Sequence, residues 1–268
     1  MSRRRLAAVA ALAVALGVGA CSGGAASPGS SVGPVDLTIY AAASLKSVLA
    51  SVQAAYGTAR PAVTLTIATD SSAALETKIE QGAPADILLS ADTANPQQLV
   101  DRGLAAGAPV AFATNRLTII VPAANPASLR SPADLARPGI KIIAAASAVP
   151  ITKYAEQLIR NLATVPGAPP DFATAYAANV VSREADVAAV VAKIALGEGD
   201  AGIVYVTDAR SSTSVTSIDV PQASNVVATY AGVVVKASPR VTAARDFLDW
   251  LAGPGGRAVL AGFGFQAP

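Results

Sequence analysis

From Val35 to the C-terminus the chain alternates short runs rich in β-branched residues with longer stretches of helical period, and this alternation constrains the fold more than any other feature. VDLTIY (35–40), AVTLTIA (62–68), DILL (86–89), LTIIV (117–121), residues 141–144 and GIVY (202–205) predict strands. Helices are expected over 45–56, 73–81, 96–101, 131–136, 152–162 and 186–196. An amphipathic helix at 242–251 (TAARDFLDWL) precedes a Gly-Pro-Gly-Gly break and a last short helix. Strands that alternate with helices pair in parallel through right-handed crossovers, so the expectation is an α/β architecture of parallel sheets.

In such sheets ligands bind beyond the carboxyl ends of the strands, where helix N-termini point unbonded amides outward. Four strand-to-helix junctions therefore hold the candidate chemistry. Tyr40-Ala-Ala-Ala-Ser44-Leu45 places Ser44 at an expected helix N-cap, and Ala68-Thr-Asp70-Ser71-Ser72-Ala73 offers hydroxyls at the next helix start. In Ala146-Ser-Ala-Val149-Pro150-Ile151, Pro150 suits a first helical position and Ile151 can offer only its backbone amide. Ser182-Arg-Glu-Ala-Asp186-Val187 opens a long apolar helix. Ser and Asp cap helices whether or not anything binds, so periodicity alone leaves the choice between capping and binding open.

Composition narrows the function classes. A chain of 268 residues with 52% hydrophobic and 14% charged residues is long and apolar enough for one large domain or two lobes, and is not a disordered composition. There is no histidine and one cysteine, Cys21. Histidine-based acid–base catalysis, Ser–His and Cys–His triads, zinc sites and disulfides are thereby removed together. Arg3, Arg4 and Arg5 precede an apolar run over 6–18, too short to span a bilayer comfortably and of signal-peptide length. Val18-Gly19-Ala20-Cys21 resembles a bacterial lipobox, with ordinary cleavage that leaves Cys21 free as the alternative. The expected organisation is a lipoprotein-type signal peptide over 1–20, lipidation at Cys21, and a flexible Gly/Ser/Ala/Pro tether over 21–33. Taking the three leader arginines from 20 basic residues leaves 17 against 18 acidic ones, net −1, with no basic run to attract nucleic acid.

Four segments together resemble the periplasmic molybdate-binding proteins, the ModA family. They are Ala41-Ala-Ala-Ser44-Leu45; Ser71-Ser72 with Leu75-Glu-Thr-Lys-Ile79-Glu-Gln-Gly82-Ala-Pro84-Ala-Asp86-Ile-Leu-Leu-Ser90-Ala-Asp92; Gly199-Asp200-Ala-Gly202-Ile-Val-Tyr205-Val-Thr-Asp208-Ala; and Phe247-Leu-Asp-Trp250-Leu-Ala-Gly253-Pro254 with the closing Gly262-Phe-Gly264-Phe265. The resemblance covers the chain from Val35 to its end. It implies a type II periplasmic-binding-protein fold: two α/β lobes, a two-strand hinge, and a ligand cleft between them. Lobe 1 would comprise 34–115 plus 230–268 and lobe 2 116–229, with the chain crossing near 114–117 and 228–232.

The same resemblance implies the ligand, molybdate, with tungstate as a near-isostere. It assigns the hydroxyls and amides of Ser44 and Ser72 in lobe 1, and the amides of Ile151 and Val187 and the phenol of Tyr205 in lobe 2, as contacts. Ile151 departs from the small residue common there in relatives, and Val187 and Tyr205 also fit core positions. The implied role is a monomeric, exported binding protein, anchored to the membrane through Cys21 and facing the periplasm or outer envelope space. It would deliver its anion to an ABC transporter permease, with no catalytic residues, no cofactor and no metal cation, molybdenum entering as its oxyanion. Two alternatives stand beside it. One is a protein for another small anion such as sulfate; an organic carboxylate would call for an arginine clamp, and Arg183 lies outside the matched contacts. The other is a lipoprotein enzyme using Glu184 and Asp186.

Overall fold

The computed structural model describes residues 33–268; the expected leader, lipidated Cys21 and nearly all of the tether lie outside the described residues. The chain begins with strand β1 (Val35–Ala42), which pairs in parallel with β2 (Val63–Asp70) on one side and β3 (Ile87–Ser90) on the other. All four residues of β3 are buried, as expected of a strand covered on both faces. A 3-10 turn (Ala43–Leu45) leads from β1 into α1 (Lys46–Ala59), α2 (Ser72–Glu80) follows β2, and α3 (Ala94–Asp101) follows β3.

Strand β4 (Val110–Pro122) carries the chain into the second half. Val110–Arg116 pairs with β9 (Val227–Val234), whereas Leu117–Pro122 pairs with β7 (Ala201–Tyr205) and β8 (Val215–Ile218). The second sheet is completed by β5 (Ile142–Ala145), parallel to both β7 and β6 (Val180–Glu184). Helices α4 (Pro150–Ala163), α5 (Phe172–Asn179), α6 (Val187–Ala195) and α7 (Val206–Arg210) accompany it. Helix α6 lies tight on the sheet because residue 202 is glycine: a Cβ there would sit 2.9 Å from Val190 Cγ1 and 3.0 Å from the Ile143 carbonyl. Helices α8 (Val241–Ala252) and α9 (Pro254–Gly262) return to the first half, where Phe247 meets Tyr56 of α1 edge-on at 4.9 Å. This is the type II periplasmic-binding-protein architecture, with strand order β2-β1-β3-β9-β4-β7-β5-β6.

Two expectations change. Pairing is parallel only within each half: β9 is antiparallel to β3 and β4, and β4 to β7 and β8. The reason is that β4 carries the chain out of the first half and the chain comes back along it as β9, in the opposite direction. Residues 219–226 link β8 to β9, which pairs with Arg116 at Val227. There the Asn225 side chain takes the place of a strand, accepting from Leu117 N at 3.0 Å and donating to Leu117 O at 2.9 Å. Finally, 131–136 is a 3-10 turn (Pro132–Ala136) rather than an α-helix, closed by the reciprocal capping of Ser131 and Asp134.

Candidate anion-binding cleft

The carboxyl ends of five strands meet where the two halves face each other. From β1 come Ala42, Ala43 and Ser44; from the start of α2, Ser71 and Ser72; from the start of α4, Val149, Pro150 and Ile151. Asp186 and Val187 at the start of α6 and Tyr205 at the end of β7 complete one cavity. Ser44, Ser72, Ile151, Val187 and Tyr205, the five residues singled out from the sequence, are all brought to it, each at most 3% exposed. Side chains from both halves are therefore closed over the same space.

Each junction supplies donors for a local reason. Ser44 is not the N-cap expected of it: it lies inside the 3-10 turn, and its Oγ accepts the Tyr230 hydroxyl at 2.9 Å. Ser71 is the α2 cap, accepting from Ala74 N at 3.2 Å, which frees the next residue from that duty. Ser72 Oγ instead accepts from Ala91 N at 3.0 Å. A hydroxyl whose oxygen is already engaged by a scaffold donor keeps its own proton for another partner. In α4, Val149 is the cap and Pro150 has no N–H, so Ile151 carries the first free amide; its side chain is absorbed into the main core. Asp186 caps α6 by accepting from Ala189 N at 2.9 Å, and Val187 at the first helical position has no intrahelical acceptor for its N–H.

Tyr205 completes the set. Its hydroxyl is buried with no hydrogen-bond partner among the described residues. Burial, reinforced by Tyr230, Tyr154 and nearby carboxyls, holds its pKa well above the ordinary phenol value, so it remains a neutral donor. A buried hydroxyl left unpaired costs about 1–3 kcal/mol, which an acceptor in the cavity would recover.

The electrostatics are those of dipoles rather than full charges. Among the described residues no lysine or arginine lines the cavity, and Asp186 is its only carboxylate. Asp208, just behind Tyr205, accepts from the Tyr205 amide at 3.2 Å, and burial pushes its pKa well above the usual carboxylate range. What remains is the positive end of several helices, each worth about 0.3–1 kcal/mol toward an anion and more when partly buried. Glu184 and Asp186 do not form an acid–base pair: Glu184 is held by Lys193 at 2.9 Å and by Ser182, and Asp186 is occupied as a cap. Arg183 donates to the Ala145 carbonyl at 3.3 Å and does not line the cavity. Among the described residues no group of three or more His, Cys, Asp or Glu could hold a metal ion.

Sequence reasoning missed Tyr230, Asn115 and Ala91. All three are buried residues whose roles depend on partners remote in the chain, and no local pattern marks them.

The chain is similar to known proteins over most of its length. The pattern of the bacterial extracellular solute-binding proteins matches residues 37–266. The molybdate-binding protein ModA of Mycobacterium tuberculosis (strain H37Rv) is 37% identical over 266 residues, 97% of this chain and 96% of that protein. The substrate-binding domain of a molybdenum ABC transporter from Clostridium difficile superposes with a TM-score of 0.65 at 28% identity, over 87% of this chain and 99% of that one. The sulfate-binding protein SubI of Mycobacterium tuberculosis has the same fold, with a TM-score of 0.76 at 23% identity over 87% of each chain. Backbone similarity thus does not separate the anions; sequence identity falls on the molybdate side.

Proposed function

The chain belongs to the bacterial extracellular solute-binding proteins, within them to the molybdate-binding ModA proteins, and from that premise we propose that it captures molybdate outside the cytoplasmic membrane and delivers it to an ABC importer. The observation that carries this reading is the neutral donor cage: two serine hydroxyls with occupied oxygens from the first half, and an unpartnered buried phenol and two free helix amides from the second, around one cavity. Ser44 and Ser72 contact the anion from the first half, and Ile151, Val187 and Tyr205 from the second. The lobes are taken as 34–115 plus 230–268 and 116–229.

A cage of fixed donors suits a fully deprotonated tetrahedral dianion. Hydrogen phosphate would bring an O–H into a site poor in acceptors and leave it unsatisfied. Sulfate, being smaller, would stretch its hydrogen bonds in a cavity sized for molybdate, whereas tungstate fits as molybdate does. Because donors come from both lobes, the anion binds the closed form more tightly and draws the equilibrium toward it; that closed form is what a permease reads.

The remaining assignments concern export. The leader over 1–20 directs secretion, Cys21 is acylated, and 21–33 tethers a monomeric domain to the membrane. The lipobox likeness supports this, and the intact mass of the mature N-terminus tests it: a diacylglyceryl adduct on Cys21 is expected, and an unmodified cysteine refutes the anchor. No catalytic role is assigned.

Function itself is tested by titration calorimetry and thermal shift of the soluble domain with molybdate, tungstate, sulfate and phosphate. Molybdate and tungstate should raise the melting temperature by mass action, sulfate less, phosphate least. Sulfate binding as tight as molybdate binding would refute the size argument, and indifference to all four anions would refute the function.

A further inference from the structure

Behind Ser44 lies a buried chain of polar side chains that takes no direct part in the cage. Asn115, the penultimate β4 residue paired with β9 before the strand enters the second half, is 2% exposed; Tyr230 on β9 is 0% exposed. Both therefore belong to the hinge strands. The Arg116 backbone N–H donates to Asn115 Oδ1 at 2.9 Å, which fixes which end of the amide is oxygen. The Nδ2 end then has two protons to give. One goes to Thr207 Oγ1 at 2.8 Å. The Tyr230 hydroxyl directs its proton to Ser44 Oγ, 2.9 Å away. Ser44, receiving in turn, has its own proton left for the cavity.

We propose that Tyr230, on hinge strand β9, is a positioning residue whose hydrogen bond forms a one-way relay from the hinge and holds the Ser44 hydroxyl as a donor toward the bound oxyanion. The inference rests on the molybdate-binding function proposed above and identifies what sets the polarity of one of its contacts. The relay touches both halves. The Tyr230 ring meets Tyr205 of the second half at 5.5 Å and Phe265 of the C-terminal segment at 5.4 Å, and Asn115 reaches Thr207 in α7. A serine hydroxyl without this constraint samples rotamers in which it accepts rather than donates, and those rotamers oppose an anion that has only acceptors to offer. Polarity is therefore tied to the strands on which the halves close.

The experiment is a double-mutant cycle on molybdate affinity with Tyr230→Phe, Ser44→Ala and the pair. Tyr230→Phe keeps every ring contact and deletes only the relay. It should weaken molybdate binding about 3- to 10-fold, the worth of one hydrogen bond. In the Ser44→Ala background the same change should alter affinity less than about twofold, because no hydroxyl remains to be oriented. Melting temperatures of the ligand-free variants, read alongside, show whether each is folded. A Tyr230→Phe loss of equal size in both backgrounds would mean a merely structural tyrosine and overturn the relay, as would unchanged affinity in Tyr230→Phe. Failure of the unmodified protein to bind molybdate would overturn the function and this inference together, a result distinct from both.

Discussion

The two halves offer the cavity different kinds of donor. The first half presents serine hydroxyls, each anchored from behind: Ser72 by the Ala91 amide and Ser44 by Tyr230. The second half presents amides of apolar residues, Ile151 and Val187, and a phenol with no anchor on its oxygen. The first kind is written in side chains and can be removed by ordinary substitution. The second is written in backbone, so side-chain identity there is nearly free while helix position is not. A binding site can therefore carry as much chemistry in a valine as in a serine, provided the valine begins a helix.

The largest effect should come from breaking the backbone side of this contrast. Val187→Pro is compatible with the first position of α6, yet it deletes the N–H. Molybdate affinity should fall by about 1.5–3 kcal/mol, roughly 10- to 150-fold, while Val187→Ala, which keeps the amide, should cost less than about threefold. Calorimetry of the two variants side by side decides it; equal losses would place the contribution in the side chain. Tyr205→Phe comes next and separates function from fold. Affinity should drop about tenfold or more, and the ligand-free melting temperature should hold or rise, because a buried hydroxyl without a protein partner is removed. A core tyrosine would lose stability instead. Ser44→Ala and Ser72→Ala should each weaken molybdate binding by about 1–2 kcal/mol with the fold intact. If neither does, the first half contributes no hydroxyls and the contrast fails.

The smallest effect on binding, though not on stability, is expected one turn along α2 from Ser72. Glu76 is 5% exposed and shares its site with Glu80, which also pairs with Arg102. Burial, then the hydrogen bond with Glu80 and the charge of Glu80, raise the Glu76 pKa to about 7. The folded protein thus binds this proton more tightly than the unfolded chain. The resulting stability is fully present below the unfolded value of 4.5 and is lost as pH rises through about 7. Glu76→Gln should flatten that slope and stabilise the protein above neutrality by roughly 1–3 kcal/mol, with molybdate affinity nearly unchanged. Denaturant melts at pH 5 and pH 8 check it; an unaltered slope would mean that Glu76 is charged in both states.

How much of this was legible depends on range. The strands at 35–40, 62–68 and 202–205 and the helix at 242–251 were readable because their periodicity is local and strong. The helix Phe172–Asn179 was not, since its apolar residues are spread around the helix rather than gathered on one face, and the half-exposed strand Val180–Glu184 lacks clean alternation. At the cleft, the family resemblance pointed to the five residues that line the cavity, but the local role of Ser44 was not legible. A serine before a helix reads as a cap, and only its distant tyrosine makes it something else.

By itself the sequence determined the α/β alternation, the helix starts with their hydroxyls, caps and proline, and the lack of histidine, because these depend on neighbours within a few residues or on composition alone. The tertiary structure decided which helix starts face one another, where the chain returns between the halves, and which way the Ser44 proton points. Those depend on contacts between residues far apart in the chain, 92 for Asn115 with Thr207 and 186 for Ser44 with Tyr230. No window of sequence holds both partners, so only the closed packing of two halves could bring them together.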